Sequence, residues 1–75
     1  MNPGQAKFHA FVMDRVQEGK AAELETILAD SFARQDAGTF DAEYMRGVVP
    51  RIMALLRPEF IEEFRQAAAH MASTM

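Results

Sequence analysis

Apolar residues recur through nearly the whole chain at intervals of three and four, and glycine or proline cuts the pattern at Gly19, Gly38, Pro50 and Pro58. The spacing is that of amphipathic helices, and the interruptions set where one helix can stop and the next begin. The phase of the pattern decides how to treat Gly19. At about 100° per residue, the stripe of Phe8, Val12 and Val16 is offset by roughly 150° from that of Leu24, Ile27, Leu28, Ser31 and Phe32. One straight helix would present two opposed apolar faces, whereas a break at Gly19, with the glycine left-handed, turns both to one core.

Local start and stop signals sharpen this division. Asn2 can cap a first helix, Pro3 suits its first position, and Gln5 can reach back in a capping box. That helix is expected over about 3–18, carrying Phe8, Phe11, Val12, Met13 and Val16. A second is expected over 20–35, with Asp30 and Arg34 paired one turn apart, and Gly38 ends it. Asp41 then caps a third, with Glu43 in its first turn and Phe40 placed to staple onto Met45. This third segment, 41–56, contains Pro50. Because Met45, Val48, Val49, Ile52, Leu55 and Leu56 keep one phase across it, a helix kinked at Pro50 is preferred to one split at Gly47 to Val49. Pro58 opens a last helix over 58–72. Glu59, Glu62 and Glu63 lie near its positive end, Phe60, Phe64, Ala67, Ala68 and Met71 form its inner stripe, and Ser73 to Met75 fray.

The fold class implied is all-α: a small four-helix antiparallel bundle in a single domain spanning 1–75, its third element kinked or split. Seventy-five residues bury only about 60% of the surface the unfolded chain exposes, so such a domain needs reinforcement. The absence of cysteine rules out disulfides. A structural metal is disfavoured because His9 and His70 lie near opposite ends and no spacing puts two ligands on one helical face. Close packing or self-association remains. Projected on a helical wheel, the apolar residues of helix one cover about 200° and those of helix three about 180°, against the roughly 100° stripe a surface helix needs. A second copy burying the surplus explains both arcs, so completion by homodimerisation is expected. Its interface is expected among Phe8, Phe11, Val12, Met13, Met45, Val49, Ile52 and Met53. Met13, Met45, Met53 and Met71 also suggest a groove that repacks around an amphipathic helix of another protein.

Signals of chemistry are sparse. The sequence contains no Gly-x-Ser-x-Gly elbow, cysteine nucleophile or glycine-rich phosphate loop, so no catalytic residues, cofactor or metal are assigned and no enzymatic activity is expected. His9 lies at the edge of an apolar arc with no local titrating partner and reads as a partly buried histidine; His70 projects toward solvent. The glutamates at 59, 62 and 63 are explained by their place in a first helical turn. A net charge of −3 and scattered arginines disfavour nucleic acid. No apolar run approaches the roughly 20 residues of a membrane span, and the start lacks a signal-peptide pattern. The reading is a cytoplasmic protein-interaction or regulatory module that self-associates, similar in size and composition to small all-helical bacterial proteins. The alternative is a dimeric nucleic-acid-associated regulator that uses Arg46, Arg51 and Arg57.

Overall fold

At the first helix start, the Asn2 Oδ1 accepts from the Gln5 backbone N–H at 2.7 Å, and the Gln5 Oε1 accepts from the Asn2 N–H at 3.1 Å, closing the capping box. At the third, the Asp41 Oδ1 accepts from the Tyr44 N–H at 2.8 Å. Each bond satisfies a donor that no helical carbonyl can reach. The computed structural model describes residues 2–73, and their side chains as far as residue 70. Four α-helices occur there: α1 (Pro3–Met13), α2 (Ala21–Ala37), α3 (Ala42–Met53) and α4 (Ile61–Ser73), the last entered through a 3₁₀ turn at Pro58–Phe60. Among the described residues no helix is long and apolar enough to cross a membrane.

The ends of α1 and α3 differ from the sequence-based expectation, and for a shared reason. Helix one stops at Met13 rather than near 18, and helix three at Met53 rather than 56. Beyond each, the chain leaves the helix and the two loops pair. Val16 and Leu56 form an isolated antiparallel bridge, in which the Gln17 N–H donates to the Leu55 carbonyl at 2.8 Å and the Arg57 N–H to the Arg15 carbonyl at 2.9 Å. Gln17 Nε2 adds bonds to the carbonyls of Leu56 at 2.8 Å and Ala54 at 3.3 Å. The backbone groups that a longer helix would have satisfied internally are thus satisfied across the loops. Val16, Leu55 and Leu56 are apolar because they pack at this junction, which is why their phase mimics a continuing helix.

Both glycine breaks take the left-handed conformation, Gly19 at φ 82° and Gly38 at φ 76°. Only Gly38 is a helix cap, its N–H donating to the carbonyls of Arg34 and Gln35; Gly19 lies within the loop, several residues past the end of α1. Pro50 is carried inside α3 without interruption, so the split at Gly47 to Val49 does not occur. Phe40 stacks edge-on against Tyr44, ring centres 5.2 Å apart. Of the last helix's expected features, Ser73 belongs to α4 instead of fraying, because the helical hydrogen bonding runs one residue further, while the side chain of Met71 and the fraying of Thr74 and Met75 lie outside the described residues.

Every α-helix feeds the core. Val12 of α1, Leu24 and Leu28 of α2, Leu56 after α3, and Phe64 of α4 are fully enclosed, with Val48 and Ile52 of α3 beside them. The radius of gyration, 11.6 Å, matches the roughly 11 Å of a packed chain this long. A single copy therefore closes its own core. Gln5, buried although polar, is satisfied by donating from Nε2 to Gln35 Oε1 at 2.9 Å and to Asp36 Oδ1 at 3.3 Å, which ties the start of α1 to the end of α2.

Candidate interaction site

The eight residues expected to meet a partner separate into two groups. Val12, Met45 and Ile52 are 0%, 6% and 2% exposed and belong to the chain's own core. Phe8, Phe11, Met13, Val49 and Met53 pack against that core and stay partly exposed. This second group offers nearly all of the surface, to which Met45 adds only a small exposed edge. Within it, α1 and α3 are treated differently by their surroundings.

On α1 much of the surplus is covered within the chain. Phe8 tilts against Phe64 with ring centres 6.0 Å apart. Arg15 lays its guanidinium over the Phe11 ring at 4.1 Å and near that of Phe60 at 5.3 Å. The same group donates from Nη1 to the Phe11 carbonyl at 2.9 Å and meets both carboxylate oxygens of Glu63, at 3.1 and 3.3 Å. A planar cation with five donors suits this combination of stacking and forked pairing, and it joins the end of α1 to the start of α4. Phe11 and Arg15 are four apart, so the stacking half of the arrangement had a sequence signal. The pairing with Glu63, 48 residues away, had none.

Tyr44, which widened the α3 arc, is likewise accounted for. Its hydroxyl donates to Asp30 Oδ2 at 2.6 Å and lies 3.2 Å from the Ser31 Oγ, while the Arg34 guanidinium stacks on its ring at 4.3 Å. The Tyr44 hydrogen bond, helped by Arg34 and Arg51, holds the Asp30 carboxyl below the ordinary carboxylate range. Burial first, and then the hydrogen bond to Asp30, pushes the Tyr44 phenol up.

Open apolar surface lies on both sides of α4, because Ala67, Ala68 and Ala69 are too short to fill the space between it and its neighbours. Toward α1 is a groove of about 520 Å³, floored by Phe8, Phe11, Phe32 and Ala67 and edged by Asn2, Lys7, Gln35 and His70. Toward α3 is one of about 480 Å³, floored by Met45, Val49, Pro50, Met53 and the two alanines 68 and 69, and edged by Arg46 and Arg65. Among the described residues no carboxylate lines either groove. Of the four methionines expected to share a groove, Met45 and Met53 line this one, Met13 does not, and the side chain of Met71 lies outside the described residues. A third space, of about 20 Å³ between Phe32, Met45, Ile52 and Phe64, is no larger than a water molecule needs and is a packing gap in the core.

The remaining candidates are dispersed. His9 Nε2 meets Glu25 Oε1 of α2 at 2.5 Å, a partner that local spacing could not reveal. Of the three arginines, Arg46 edges the α3–α4 groove, Arg51 lies toward Asp30, and Arg57 donates to the Asp14 carbonyl at 2.6 Å while stacking on Phe60. They face three ways and form no continuous basic stripe. Among the described residues no three imidazole or carboxylate groups come together as metal ligands would. In comparison with known proteins, the chain matches no family model, no curated sequence and no solved structure.

Proposed function

We propose that the chain is a cytoplasmic protein-interaction module that self-associates as a homodimer and has no reaction of its own. The observation that carries this reading is the pair of open apolar grooves flanking α4 on a chain whose core is otherwise closed. Contiguous apolar surface rimmed by polar groups is the usual mark of a contact surface. The α1–α4 groove is the better suited of the two to a second copy. A two-fold contact sets a patch against itself, so any charge on it meets its own sign. That groove is aromatic, with Lys7 the one permanently charged edge residue among those described, whereas the α3–α4 groove would bring Arg46 and Arg65 against their counterparts.

Sedimentation equilibrium at micromolar concentration tests this. The expected mass is twice the 8.4 kDa of the chain, returning to monomer in Ala67→Arg with helix content unchanged. A wild-type monomer at every concentration sinks the dimer.

A further inference from the structure

We infer that the α3–α4 groove is a docking site for an amphipathic helix of another protein, one whose apolar stripe is flanked by acidic residues. The inference rests on the interaction-module reading and supplies the kind of partner. Ala42, Met45, Val49 and Met53 recur at three- and four-residue steps along one side of α3, and Ala68 and Ala69 form the opposite wall. The channel therefore runs for about 16 Å, three helical turns at 1.5 Å per residue. A partner helix fits such a channel through apolar residues at i, i+3 or i+4, and i+7. Methionine on the floor lets the walls adjust to branched or unbranched side chains at little cost.

Charge selects among amphipathic helices. Arg46 and Arg65 are both exposed on the rim, and among the described residues no carboxylate lines the groove. Glu62 draws off part of the Arg65 charge through a bond of 2.7 Å, but Arg46 has no such neighbour among its hydrogen bonds or ion pairs. The net charge of −3 does not reverse this preference. Glu23, Glu25, Asp30 and Asp36 lie on α2 and line neither groove, and of the nearer acids Glu62 is bonded to Arg65 while Asp41 and Glu43 flank Ala42 at the start of α3, outside the groove lining. At physiological salt, charges farther than about 8 Å are largely screened, so the α2 carboxylates weigh little beside the rim arginines, and Arg46 carries the preference. The same rim disfavours a second copy here, which leaves this groove free when the α1–α4 groove is occupied.

The test uses the full chain and three labelled synthetic helical peptides of about 16 residues, long enough to hold a helix. One carries leucines at i, i+4 and i+7 flanked by glutamates, one has lysines in place of the glutamates, and one has the glutamates but serines for leucines. Fluorescence anisotropy should give the first a Kd in the tens of micromolar, about tenfold or more tighter than the other two. In R46E/R65E, both sites exposed, the order of the glutamate and lysine peptides should invert while the thermal midpoint stays within a few degrees. Equal or tighter binding of the lysine peptide to the wild-type chain overturns the inference. So does the absence of binding at millimolar protein, or a switch of the chain from dimer to monomer in Val49→Lys, which would make this groove the contact between copies. Sedimentation of the same samples separates the two readings: a dimer that binds no peptide defeats only the docking site, and a monomer that binds the glutamate peptide selectively defeats only the dimer.

Discussion

Helices α1 and α3 enter the fold with the same sequence property, an apolar arc far wider than a surface helix needs, and come out of it with different surfaces. On one side of α1 the guanidinium of Arg15 lies on Phe11 and is locked by both oxygens of Glu63, so only the side toward Phe8 is left open in the α1–α4 groove. Over the outer side of α3, Val49 and Met53 face alanines, and the arginine nearby, Arg46, edges the space without closing it. Arc width therefore does not by itself call for a second chain. What decides is whether a long cationic side chain stands four residues or one helix away, because such a side chain can cover a ring with its stem and still keep its charge in water. The difference can be attacked at three points.

The largest effect separates two neighbours on α3. Ile52 is 2% exposed, so Ile52→Asp places a carboxylate in the core at a cost of several kcal/mol, comparable to the whole stability of a domain this small. Circular dichroism should find that variant unfolded at 25 °C. Val49, one turn earlier and half-buried, should tolerate Val49→Asp at about 1 kcal/mol, since much of its side chain already meets water. Equal losses at the two positions would mean that the α3–α4 groove is filled in solution.

The second effect tests the cover over α1. Arg15→Ala removes two cation–ring contacts, a forked ion pair and a bond to the Phe11 carbonyl. Together these are worth about 2–4 kcal/mol, at roughly 0.5–1 kcal/mol for each of the four. Urea unfolding should read this as a lower midpoint with an unchanged slope. Arg15→Lys should recover little, because an ammonium neither stacks flat nor forks. On α3, Arg46→Ala should leave the midpoint in place. Exposing Phe11 should also strengthen self-association through the α1–α4 groove, which a rise in sedimentation-derived affinity would register.

These contrasts also mark how far the sequence could be read. Features encoded within a few residues were legible: the Asn2 and Gln5 box, the Asp41 cap, the Asp30 and Arg34 pair, the stop at Gly38, and the four-helix class. Features that join distant segments were not. The ends of α1 and α3 were read too long because Val16, Leu55 and Leu56 are apolar in helical phase, and only the pairing of Val16 with Leu56, 40 positions on, shows why. Of the α3–α4 groove, Met45, Val49 and Met53 stand among the residues the sequence marks for an interface. The facing alanines and Arg65 belong to another helix, and nothing in the spacing along α3 points to them. Gln5 was recognised as a cap alone, although its burial and its bonds to Gln35 and Asp36 make it a tie between helices.

The smallest expected effect concerns Tyr44, the one wide-arc residue of α3 that is covered as Phe11 is, by an arginine on its ring. Its hydroxyl also bonds Asp30, which adds a dependence on pH that Phe11 lacks. The Asp30 carboxyl is held below its ordinary range, so folding favours the ionised form. The resulting stability is present above the unfolded-state pKa of about 4 and is lost as pH falls through the lower folded value. Tyr44 is pushed up, so its own contribution is present below about pH 10 and fades as pH rises through its folded value. Tyr44→Phe keeps the ring and the Arg34 contact but removes the phenol's linkage and the largest part of the carboxylate's, leaving what Arg34 and Arg51 supply. Thermal midpoints of the two proteins should therefore differ by a constant amount from about pH 5 to 9 and converge toward either extreme. Because Asp30 is exposed, water competes for it and the change should be small. Curves that stay parallel below pH 4 would show that the phenol and the carboxylate are not bonded in solution, and that the ring alone accounts for the place of Tyr44 on α3.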